Sequence, residues 1–123
     1  MHYEIIFVGI NYKTPQKTLD WMKSLVEKNI NGLIIVVDNS ADYNPELGSE
    51  VEKMNTEKIM YVDTKNNLGY FNGAFYAFQY IDGKGISFDW LCISNVDVEL
   101  CDCDLSDELK KYSDDQFKRV IEL

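Results

Sequence analysis

The chain has 123 residues, 46% hydrophobic and 27% charged, the composition of one globular domain with a real core; a disordered chain and a two-domain chain are excluded. Twenty-one acidic residues against twelve basic ones give a net charge of −9, with Arg119 the single arginine, so the clustered cations that neutralise nucleic-acid phosphates are lacking. No apolar run reaches the about 18–20 residues that span a bilayer. The opening MHYEIIFVGINYK also lacks the basic stretch and cleavage site of a secretory signal, so a cytoplasmic location is expected.

Tyr3 to Ile10 is a β-branched and aromatic run that predicts a buried strand. Thr14 and Pro15 then supply a cap and a first helical position, and Leu19, Met22, Leu25 and Val26 continue as an apolar stripe to about Lys28, where Asn31-Gly32 stops it. Leu33 to Val37 is apolar at every position, the pattern of a strand covered on both faces, and it ends in Asp38-Asn39-Ser40. Asn44-Pro45-Glu46 opens a second helix running to about Met54, and Lys58 to Val62 predicts a third strand. After the polar loop DTKNNLG, a helix from about Tyr70 to Ile81 buries Phe71, Ala74, Phe78 and Ile81. Phe88 to Ser94 is the fourth strand, Ser106 caps a short acidic helix to about Lys111, and FKRVIEL carries the start of another strand.

Cys92, Cys101 and Cys103 do not make a zinc site, since His2 is the only histidine, no C-x-x-C exists and a structural site needs four ligands. They read as reduced thiols. The alternation β-α-β-α-β-α-β predicts an α/β fold, a Rossmann-like, mainly parallel sheet with flanking helices, as a single domain over residues 1–123. Ligands of such sheets bind beyond the carboxyl ends of the strands, where Asn11, Asp38, the loop to Gly69, and Asn95 with Asp97 all fall. The first turn lacks G-x-G-x-x-G and there is no P-loop, which removes the dinucleotide and P-loop readings.

Four pieces in order, VGINYK (8–13), IIVVDNS (34–40), NNLGYFNGA (66–74) and ISNVDVEL (93–100), resemble the family 2 glycosyltransferases of the GT-A fold, particularly bacterial rhamnosyl- and galactosyltransferase-like members. The resemblance covers about the first hundred residues. It implies metal-dependent transfer of a hexose from a nucleoside-diphosphate sugar to a saccharide or lipid-linked acceptor, inverting the anomeric centre, in cell-surface polysaccharide synthesis. It further implies a place at the inner face of the membrane, peripherally associated in the full-length protein.

By the same resemblance Asp38 contacts the nucleobase and Asn11 lies near base and ribose. Asn67 and Gly69 belong to the N-x-G loop before the third helix, and Gly73 allows a close backbone approach to the ligand. Asn95 faces ribose or diphosphate, and Asp97, in an Asn-x-Asp version of the family's D-x-D, ligates Mn²⁺ or Mg²⁺. The residue-level alternatives are turn formation by Asn11 and by Asp38-Asn39-Ser40, a plain loop for Asn66-Asn67-Leu68-Gly69, and a solvated strand end for Asn95-Val96-Asp97. The chain departs from the family at Phe75, where relatives carry a small or polar residue, and at Val96, where proline is common. The general base is expected beyond Leu123, along with the acceptor-binding part. Two alternatives stand: a sugar-nucleotide pyrophosphorylase-like domain, and a non-catalytic α/β module that binds nucleotide or protein.

Overall fold

The computed structural model describes residues 1–28, 31–40, 46–54, 57–97 and 119–122. In chain order these form β1 (His2–Asn11), α1 (Pro15–Val26), β2 (Gly32–Asp38), α2 (Glu46–Lys53), β3 (Ile59–Asp63), α3 (Tyr70–Gly83), β4 (Ser87–Asn95) and β5 (Arg119–Glu122). The strands make one sheet in the order β3-β2-β1-β4-β5, and every pairing among them is parallel. The acidic helix expected from Ser106, the Asn44-Pro45 cap, Cys101 and Cys103 lie outside the described residues.

Side chains alternate across a strand, and the sequence supplies apolar residues at both phases of β1 and β2. Ile5, Phe7, Ile34, Val36 and Cys92 pack with Trp21, Met22 and Leu25 of α1 and with Leu47 and Val51 of α2. On the opposite face Ile6, Val8, Leu33, Ile35 and Val37 pack with Ala77 and Ile81 of α3. The unbroken Leu33–Val37 run is therefore a strand with helices on both sides. Each of those side chains contributes about 1.5–3 kcal/mol, whereas an exposed pair such as Lys53 with Glu50 adds at most about 1 kcal/mol. Burial pushes the Cys92 thiol up to about 11, which makes it a small core residue at neutral pH rather than a nucleophile. No helix among the described residues is long and apolar enough to cross a membrane.

Two local expectations need correction. Helix α1 ends at Val26, where the Lys28 N–H bonds the Leu25 carbonyl at 3.1 Å, a tightened turn that closes the helix before Asn31-Gly32. In α3 the sheet-facing stripe is Gly73, Ala74, Ala77 and Ile81, small residues that let the helix sit close to the strands. Phe71 falls on the outer side of that stripe and is 69% exposed, with Phe75 one turn later at 59%. Phe78 is partly buried as a flank of the stripe.

At the amino-end edge of the sheet, His2 lies 2.7 Å from the Ser87 hydroxyl and 3.1 Å from the Asp89 carboxylate, joining the start of β1 to the start of β4. The opposite, carboxyl-end edge carries the polar residues.

Candidate functional site

From β1 the chain winds outward through β2 to β3, and α3 then returns it to β4 on the other side of β1. The direction of winding thus reverses between β1 and β4, and the ground beyond their carboxyl ends is the place where parallel α/β sheets bind ligands. A cleft of about 420 Å³ lies there. Its walls come from Ile10 near the end of β1 and Tyr12 just past it, Thr14 and Lys17 at the start of α1, and Asn39 after β2. Asn67 and Gly69 before α3, Tyr70 at its start, Asn95 at the end of β4, and Val96 and Asp97 after it complete the lining.

Four residues expected at a site from the sequence thus share one cleft: Asn67, Gly69, Asn95 and Asp97. Asn11 and Asp38 do not line it; they lie beneath. They are directly opposite in the β1–β2 register and are 0% and 2% exposed. Buried polar groups demand partners, and Asn11 uses both ends of its amide. Its Nδ2 donates to Asp38 Oδ1 at 3.0 Å and to Ser40 Oγ at 3.1 Å. Its Oδ1 accepts from the Thr18 hydroxyl at 2.7 Å and from the Thr14 N–H and hydroxyl at 3.3 Å each. Thr14 does occupy the N-cap of α1, but its hydroxyl serves Asn11 rather than the helix amides. Asn11 is thus the turn-forming residue that fastens α1 to the end of β1. The turn places Lys13 at φ 57°, held by its N–H to Ser40 Oγ at 2.9 Å.

Asp38 accepts the Ser40 N–H at 3.1 Å on Oδ1 and the Tyr61 hydroxyl at 2.5 Å on Oδ2. Burial, and then the Asp38 carboxylate beside it, push the Tyr61 phenol well above its ordinary range, so it stays a donor. The strand-end Asp that the sequence marks as a ligand contact is here the hub of a buried network. Its effect on the cleft passes through Asn11, Ser40 and the neighbouring Asn39.

Asn39 is missed by residue-type reasoning as anything more than a turn former, yet it borders the cleft while only 1% exposed. Its Nδ2 donates to the Gly69 carbonyl at 3.0 Å and its Oδ1 accepts from Thr64 Oγ1 at 2.8 Å, tying β2 and β3 to the start of α3. A Cβ on Gly73 would come within 2.8 Å of that Nδ2 and 3.3 Å of Ile10. The close approach that Gly73 allows is therefore to Asn39 and Ile10. Gly69 has φ 79° with nothing within 4 Å of a would-be Cβ, so glycine is required there for conformation and not for space. Its N–H is held by Asn67 Oδ1 at 3.1 Å.

On the other wall, β4 ends at Asn95 and the next turn carries Asp97, both exposed. Val96 between them is partly buried against the α1–α2 side of the core and pins the turn, leaving its two polar neighbours on the cleft. Among the described residues no group of three His, Cys, Asp or Glu side chains is placed to hold a metal, and Asp97 is the one carboxylate among the cleft-lining residues. A hard cation bound here would need oxygens from its ligand, the arrangement in which Mg²⁺ pairs one or two carboxylates with phosphates. One carboxylate and one amide oxygen at the cleft wall fit that donor set.

The described residues therefore form a doubly wound, parallel α/β sheet with one polar cleft at its switch point. No protein-family model matches the chain, and no curated protein matches it.

Proposed function

We propose that the chain is the nucleotide-sugar-binding part of a metal-dependent family 2 glycosyltransferase of the GT-A fold. The observation that supports this reading is the convergence of Asn67, Gly69, Asn95 and Asp97 on one cleft at the switch point of a parallel sheet. These residues come from two loops separated by a whole helix and strand, and the resemblance assigns all four to the same donor.

Asp97, with the Asn95 amide beside it, would hold Mn²⁺ or Mg²⁺ jointly with the donor's diphosphate. When bound, the cation supplies Lewis-acid stabilisation of the departing nucleoside diphosphate. The chain's own residues do the orienting. Tyr12 and Tyr70 offer aromatic surface to a base, Asn67 offers its amide to sugar hydroxyls, and Asn39 holds the Gly69 loop in place beneath them. Asn11 and Asp38 hold the floor from which the Tyr12 and Asn39 loops rise. The acceptor in this reading is a saccharide or a lipid-linked saccharide at the cytoplasmic face of a membrane, and the product enters cell-surface polysaccharide.

One observation favours a second reading, a nucleotide-binding module without transfer: among the described residues the one carboxylate lining the cleft is Asp97, which the cation would occupy, so the described lining offers no second carboxylate to deprotonate an acceptor.

The test is the melting temperature with UDP, dTDP, GDP and CDP, each with Mn²⁺, Mg²⁺ or EDTA. A ligand at a hundredfold excess over its Kd stabilises the native state by about 2.7 kcal/mol, a readily measured shift. The proposal expects a shift for one diphosphate that EDTA and Asp97→Asn each abolish. No shift with any diphosphate would overturn it. Release of free sugar from the matching donor would then favour the transferase over the module.

A further inference from the structure

Helix α3 turns Gly73, Ala74, Ala77 and Ile81 to the sheet, and through its first three turns it exposes Phe71, Asn72, Phe75, Tyr76 and Gln79. None of those five carries a charge. Helix α1 by contrast exposes Gln16, Lys17, Asp20 and Lys23, and α2 exposes Ser49, Glu52 and Lys53 among its described side chains, the charged outer faces usual for helices on a sheet. An uncharged outer face with two phenylalanines one turn apart is therefore out of keeping with a chain of net charge −9. Aromatic side chains present and charges absent is the composition of the core of a protein interface.

Charge also selects the partner. A basic partner would meet no acid on this face, and an acidic one no base. An anionic lipid surface repels a chain of this charge, and the face has no Lys or Arg to counter that. A second copy does fit. Phenyl rings pair with their own kind edge to face, and the amides of Asn72 and Gln79 each carry donors and an acceptor. Two copies that repel each other elsewhere can approach closely where neither presents a charge.

We propose that the outer face of α3 is a self-association surface, where two copies pair about a two-fold axis with Phe71 of each against Phe75 of the other. The pairing is independent of what the cleft binds. At 69%, 59% and 40% exposure, Phe71, Phe75 and Tyr76 offer roughly 250–420 Å² per copy, given about 150–250 Å² for a whole aromatic side chain. A stable interface takes about 800 Å² from each partner, so this dimer is weak and concentration-dependent. It abuts the cleft: the Phe71 ring stands edge-on to Tyr70, 5.4 Å between centroids at 84°, and Tyr70 lines the cleft.

The experiment is analytical ultracentrifugation of the full chain from about 10 µM to about 1 mM, the range a weak interface requires. Wild type is expected to shift from monomer to dimer, and added salt should strengthen the dimer by screening the repulsion between copies. Phe71→Gln with Phe75→Gln should weaken it at least about tenfold through the lost ring pairs. Phe75→Glu, which sets like charges face to face, should abolish it, while Lys23→Glu on α1 makes the same kind of charge change elsewhere and should retain it. Both rings are exposed, so unchanged melting temperatures should accompany these losses. A monomer throughout, a dimer that salt dissociates, or equal dimerisation by wild type and the double variant overturns the proposal. So does a monomer that sediments with phosphatidylcholine vesicles through the same two rings, which would give the face to a lipid surface.

Discussion

Replacing Asn11 with aspartate is expected to lower folding stability by about 3–5 kcal/mol at neutral pH. The wild-type amide donates to Asp38 and Ser40 from one end and accepts from Thr14 and Thr18 at the other, with no exposure to water. Aspartate keeps the accepting end but turns the donating end into an oxygen about 3.0 Å from the Asp38 carboxylate. Two carboxylates at that distance cannot both ionise without penalty, and no solvent is there to screen them. Asn11→Ala loses the same hydrogen bonds without the repulsion and should be milder. Urea unfolding of the three proteins at pH 7, repeated near pH 4, checks this: the aspartate deficit should shrink on acidification as one carboxyl takes a proton. A deficit below about 1 kcal/mol at pH 7 would mean that the buried network contributes little.

Gly9→Ala should cost about 1–3 kcal/mol through overpacking. The added methyl would meet two ring carbons of Trp21 at 2.5 Å and a third at 3.1 Å. Trp21 is 4% exposed within the cluster that joins α1 to the sheet, so its ring has little room to yield. The usual Gly→Ala gain of about 0.4–1 kcal/mol from the unfolded chain only partly offsets the clash. Pairing Gly9→Ala with Trp21→Phe should recover part of the loss, and strict additivity of the two changes would argue against this contact. Because α1 also carries Thr14 and Lys17 to the cleft, Gly9→Ala should weaken ligand binding too, at a position that lies outside the cleft lining.

The sheet was legible in the sequence because its strands are short apolar runs separated by clear stops. Leu33–Val37 announces burial on both faces without any alignment. The helix phase of α3 was less legible, since ten consecutive positions from Tyr70 offer aromatics in nearly every direction and the close packing of Gly73, Ala74 and Ala77 decides which side faces inward. The site residues divide along a similar line. Asn95 and Asp97 are recognisable from the strand end they occupy. Whether Asp38 faces the cleft or the interior depends on Tyr61, 23 residues away, whose hydroxyl engages it.

The central claim is that a nucleoside diphosphate and a divalent cation meet at the end of β4, and paramagnetic NMR addresses it at residue level. Substoichiometric Mn²⁺ would be added to isotopically labelled chain in the presence of the nucleoside diphosphate that gives the largest thermal shift. Broadening should centre on the amides of Asn95, Val96 and Asp97, extend to Asn67–Tyr70 and to the opening of α1, and disappear in Asp97→Asn. Broadening centred elsewhere, or unchanged in Asp97→Asn, would contradict the account.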